Sequence, residues 1–143
     1  MKEKQTQELL NVLKDTSSIA SLEAIMEYKE DSFMDMTFAE YFQSITPSTT
    51  DRAEYIKKAN MHRTYGYQIL NGQKMPGRDK VLALCLAAEI NLDETQHCLR
   101  YANQPQLYAR NRRDAIIIYA INNKLSVQDT NSILLDFQEQ TLN

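Results

Sequence analysis

Three glycines and three prolines are the only strong chain breakers in this chain of 143 residues. An all-β fold turns about every 8–12 residues, and its turns draw on Gly and Pro. So sparse a supply predicts helices, and we read the chain as all-α. A hydrophobic share of 43% and a charged share of 24% suit a globular domain that buries a core without disulfides or metals. No apolar run approaches the roughly 20 residues that cross a bilayer. The start, MKEKQTQELLNVL, is too polar for a secretory signal, so the expected location is cytoplasmic, away from membranes. Cys85 and Cys98 lack the density of a disulfide framework and read as reduced core thiols.

Apolar periodicity and cap signatures predict seven or eight helices and no strand. Residues 6–14 and 19–30 carry amphipathic stripes (Leu9, Leu10, Leu13; then Ile19, Leu22, Ile25, Met26), and 31–36 reads as a joint. Thr37 and Glu40 form a capping box for a helix ending before Pro47. Asp51 and Glu54 repeat that device after a polar loop. A third helix in this region runs from about Arg63 to Asn71 and stops at Gly72. Residues 79–89 are apolar on most sides and predict the most buried helix. Asn91 with Glu94, Asn111 with Asp114, and Ser126 with Asp129 open three more. No repeat, low-complexity tract or long linker is evident. The organisation read from this pattern is 1–36, N-terminal amphipathic helices; 37–103, a central domain; and 104–143, a helical hairpin.

Net charge is −3, which argues against nucleic acid until its distribution is considered. Residues 1–50 hold four Lys/Arg against nine Asp/Glu, residues 51–80 seven against three, and residues 81–143 five against seven. The resulting balances are −5, +4 and −2, so positive charge is confined to one window. Screening beyond about 10 Å lets a phosphate backbone respond to that window locally.

The same window carries a motif. A capped helix after Asp51, a tight turn at 60–62, a second helix ending in Asn71-Gly72, and Pro76 leading into an apolar helix resemble the lambda-repressor-like (Xre) helix-turn-helix family over roughly residues 37–102. The resemblance implies a sequence-specific DNA-binding regulator, most simply a repressor. Its first helix would cross the DNA backbone while the second enters the major groove. It implies base reading by Arg63, Thr64, Tyr67 and Gln68, with Arg63 suited to guanine and Gln68 to adenine. It implies phosphate contacts from Arg52, Asn71, Lys74 and Arg78. The plain alternative is a solvated helix face. Two departures stand out. The family places Ala at Ile56 and Val or Ile at Gly66, so the large and small partners of the helix crossing look exchanged. Asn60 replaces the usual turn Gly, and Asn tolerates a left-handed backbone.

Other constellations carry little. Cys85, His97 and Cys98 have no zinc-site spacing, and two histidines support no catalytic triad, so no enzyme, metal or cofactor is expected. The run 115–121 is apolar nearly all round and needs partners on several sides. With Val127, Ile133, Leu134 and Phe137 it predicts a hairpin that packs on the central domain or on a second subunit. Arg110, Arg112 and Arg113 make a local basic cluster, either a solvated helix start or a contact for an anionic partner. The expected partners are double-stranded DNA and a second copy. The rival reading is a helical interaction protein (an antitoxin, an adaptor or an inhibitor of a larger complex) built on a retained helix-turn-helix scaffold, holding its partner through the acidic surface or the terminal helices.

Overall fold

The computed structural model describes residues 2–28 and 36–143, with side chains described over 6–26 and 36–143. The chain divides into two units, residues 1–35 and 36–143. The first holds α1 (Lys2–Lys14) and α2 (Ile19–Tyr28). Ser18 opens α2, its Oγ accepting from the Ser21 amide at 3.1 Å. The joint expected at 31–36 lies outside the described residues except for Met36.

The second unit is α3 (Phe38–Ile45), α4 (Arg52–Lys58), α5 (Arg63–Leu70), α6 (Arg78–Ala87), α7 (Leu92–Tyr101), α8 (Arg112–Asn122) and α9 (Val127–Asp136). The described residues thus form nine helices and no strand, against seven or eight helices expected. The region 104–143 is not set apart, since α8 and α9 pack on α6 and α8 packs on α7. The helix starts follow the sequence closely. Thr37 with Glu40 and Asn91 with Glu94 form complete capping boxes. Asn111 and Ser126 accept from the amides of Asp114 and Asp129. The box expected at Asp51 is only half made. Asp51 accepts from the Ala53 amide, whereas the Glu54 carboxylate turns to Lys58 at 3.2 Å, one helical turn on.

α6 is the centre of the unit. Every residue from Val81 to Ala87 is buried, because α4, α7, α8 and α9 surround it. This is why its sequence is apolar on most sides. The ends of α4 to α9 are all alike. Each is followed by one left-handed residue: Asn60, Gly72, Glu89, Asn103, Lys124 and Gln138, with φ between 53° and 80°. At each, the next amide reaches back to a carbonyl five residues earlier, as Met61 does to Ile56 and Ile90 to Cys85. This is the Schellman closure, here made five times out of six without glycine.

The absence of a repeat in the sequence is corrected by the structure. Residues 78–107 and 113–142 are two copies of one helical hairpin, offset by 35 positions. Only five of these thirty pairs are identical: Arg78/Arg113, Asp79/Asp114, Thr95/Thr130, Leu99/Leu134 and Leu107/Leu142. All five have matching structural roles. Thr95 and Thr130 are fully buried, each hydroxyl donating to the carbonyl four residues back, at 2.9 and 2.8 Å. Leu99 and Leu134 are fully buried, and Leu107 and Leu142 nearly so. The Leu107 and Leu142 amides donate to the side-chain oxygens of Gln96 and Asn131, which are themselves equivalent positions. Arg78 Nε donates to the Pro105 carbonyl and Nη2 to that of Gln106, while Arg113 Nε and Nη2 serve Gln140 and Thr141.

The two copies then clasp each other. Arg78 forms a two-pronged pair with Asp114 at 2.9–3.0 Å, and Arg113 forms one with Asp79 at 3.1 Å. Contacts exchanged in this reciprocal way are those of an approximate two-fold relation. Burial raises the Asp114 carboxyl's affinity for its proton, but hydrogen bonds from Arg78 and the Tyr108 amide outweigh it, so its pKa falls below the usual value.

Candidate nucleic-acid interface

α5 has two faces, and the helical period sets them. Gly66, Ile69 and Leu70 are buried. Arg63 and Thr64 are exposed, Tyr67 and Gln68 half-buried, and Asn71 is exposed just beyond the helix. Positions 63, 64, 67, 68 and 71 share one side of a 3.6-residue helix, so the residues expected to read bases fall on a single surface. The Arg63 guanidinium lies 5.8 Å from the centre of the Tyr67 ring, which restrains both side chains.

The buried side of α5 is seated on α4 by the exchanged pair. A Cβ added to Gly66 would stand 2.7 Å from both Cγ1 and Cγ2 of Ile56, closer than nonbonded carbons approach. Gly66 is therefore the small partner that lets Ile56 pass beneath α5. The turn between the helices is closed by Asn60 at φ 57°, the left-handed conformation expected for it. His62 begins α5 without a side-chain cap bond.

The four residues expected at phosphates separate into two groups. Arg52 donates to Asn71 Oδ1, tying the start of α4 to the end of α5. Lys74 is exposed, its ammonium 5.7 Å from the centre of the Tyr65 ring. Arg78 is spent elsewhere, its guanidinium making four bonds to Pro105, Gln106 and Asp114. It is a structural arginine of the hairpin clasp. Among the described residues, Arg52, Arg63 and Lys74 form no ion pair, while Lys58 is engaged by Glu54. Gln43 of α3 was passed over in the sequence, yet it borders two depressions that also include Arg52. Its position one turn after Glu40 was the only signal available.

The remaining polar clusters tie helices together. The Tyr41 hydroxyl and His97 Nδ1 lie 3.2 Å apart, joining α3 to α7, and the Tyr41 ring packs on Tyr101 at 4.8 Å. Burial, followed by the neighbouring Cys98 and Glu94, pushes the Tyr41 hydroxyl up to about 12. Cys85 and Cys98 are buried free thiols, as expected of core cysteines. Burial and the adjacent Cys98 push the Cys85 thiol well up, holding it in the unreactive protonated form. Of the arginine cluster, Arg113 is bound in the clasp, and Arg112 lies 5.7 Å from the Phe137 ring centre. Arg110 is exposed. No protein-family model, curated protein or solved structure matches the chain.

Proposed function

We propose that this chain is a sequence-specific DNA-binding regulator in which α4 and α5 form a helix-turn-helix and α5 enters the major groove. The observation that carries this reading is the division of α5 into a face locked on α4 through Ile56 and Gly66 and an outward face of Arg63, Thr64, Tyr67 and Gln68. A buried helix could not present those groups to base edges. Arg63 is assigned to guanine O6 and N7 and Gln68 to adenine N6 and N7. Arg52, Asn71 and Lys74 hold the backbone, and Gln43 joins them as a neutral donor. Arg78 leaves the phosphate set because its donors are occupied. Occupying a promoter represses it most simply, and one helix reads too few base pairs to select a site, so two copies act together.

Salt dependence tests the phosphate assignments. Replacing Arg52 or Lys74 with Ala reduces the salt slope of binding by about one unit each without changing base preference. Arg78→Gln lowers stability and leaves the slope of the folded protein unchanged. Equal slopes for all three variants would return Arg52 and Lys74 to the solvated surface. The rival reading, a helical interaction protein, draws support from the open apolar face of α8 and α9. A chain that takes a protein partner there yet selects no duplex would establish it.

A further inference from the structure

The two hairpins are built alike but are covered differently. On the first, Val81 and Leu84 of α6 and Cys98 of α7, with Ala102 beyond it, are fully buried. α4 lies on α6 there, and α3 lies on α7. The equivalent positions of the second hairpin are Ile116, Tyr119, Ile133 and Phe137. With Ala115 they line an open groove of about 470 Å³ between α8 and α9. Tyr119 is 55% exposed and Phe137 51%. Nothing among the described residues of the second unit does for this face what α3 and α4 do for the first.

The substitutions between the two seats identify the occupant. Cys98 and Ala102 are small and let α3 lie close, whereas Ile133 and Phe137 fill that space with bulk. The second face therefore offers projecting rings beside a groove. A surface that carries both knob and hole fits a copy of itself turned about a two-fold axis. The charges agree. Arg112 precedes Ile116 by one turn at one end of the groove, and Asp129 precedes Ile133 by one turn at the other. Both are exposed. Arg112 has only long contacts in its own chain, 4.0 Å to Glu139 and 3.5 Å to the Phe137 carbonyl, and an antiparallel two-fold contact brings Arg112 of each copy to Asp129 of the other.

We infer that the α8–α9 face is a homodimer interface, its groove receiving Tyr119 and Phe137 from a second copy. Its use in spacing two recognition helices rests on the DNA reading above, but its existence does not. Sedimentation equilibrium of the full chain without DNA is the test, with folding checked by circular dichroism. The wild type forms a dimer that dissociates in the micromolar range. Tyr119→Glu weakens it by at least about 30-fold, while Leu135→Glu, exposed on the other side of α9, does not. Arg112→Asp and Asp129→Arg each weaken it, and the double variant recovers. A wild type monomeric at about 100 µM, far above the expected dissociation range, overturns the inference, as does dissociation by Leu135→Glu but not Tyr119→Glu. A dimer that selects no DNA sinks the functional reading and leaves this one standing; a monomer that binds DNA does the reverse.

Discussion

Gly66 would ordinarily be a weakness in a helix, since Gly costs about 1 kcal/mol relative to Ala. Here the exchange with Ile56 reverses the preference. Gly66→Ala introduces a Cβ against two Ile56 carbons, and overpacking of that kind costs about 1–3 kcal/mol. Urea denaturation should show Gly66→Ala less stable than wild type despite its better helix propensity. Combining it with Ile56→Ala should remove that penalty, giving a coupling of at least about 1 kcal/mol. Simple additivity would place Ile56 and Gly66 outside one packing unit. The pair was legible because both departures from the expected pattern fell at facing positions. Arg78 was not legible. Nothing local distinguishes an arginine bound to a carboxylate 36 residues away from one waiting for a phosphate.

Asp114 gives that clasp a pH signature. Its folded pKa lies below the unfolded value, so its contribution is present above about pH 4 and is lost as pH falls through the depressed folded value. The wild-type urea midpoint should fall steadily from about pH 4 downward. Asp114→Asn should start from a lower stability and lose that part of the slope. An identical acid limb in both proteins would show that the Arg78–Asp114 pair does not govern it.

At the scale of elements, starts and stops differ in how well sequence announces them. Five helices of the second unit begin at Thr37, Asp51, Asn91, Asn111 or Ser126, whose short polar side chains can accept from orphan amides. The stops depend on backbone conformation, and only Gly72, Asn60 and Asn103 carry residue types that advertise it. Glu89, Lys124 and Gln138 adopt the same left-handed state with neither glycine nor asparagine. A long side chain there costs about 1 kcal/mol or more. Gln138→Gly should therefore raise the denaturation midpoint, adding about 0.5–1 kcal/mol after allowing for the looser unfolded chain. A loss of stability would mean that the Gln138 side chain contributes more than its strain costs.

Across the whole second unit, the equivalence of the two hairpins accounts for the apolar composition of its last third. The run 115–121 holds in the second hairpin the place that α6 holds in the first, where Val81 to Ala87 are all buried. The repeat was hidden because helix packing tolerates exchange among Val, Ile, Leu, Ala and Tyr. The hydrogen-bonded Arg, Asp and Thr positions do not tolerate such exchange, and they supply three of the five identities. In the same way, charge averaged over the chain obscured a +4 window, which became visible only by position. Of that window, the outward face of α5 carries Arg63, with Arg52 tied to it through Asn71, whereas Arg78 is bound in the clasp and Lys58 by Glu54.

Whether that surface reads DNA is decided most directly by selecting duplexes from a randomised pool with the full chain, then measuring their affinity for wild type, Arg63→Ala and Gln68→Ala at fixed salt. The account predicts a defined, pseudo-palindromic site, a loss of about 1–3 kcal/mol for each variant, and relaxed preference at one position per half-site. Selection of no sequence, or a tight site bound equally by both folded variants, would contradict it.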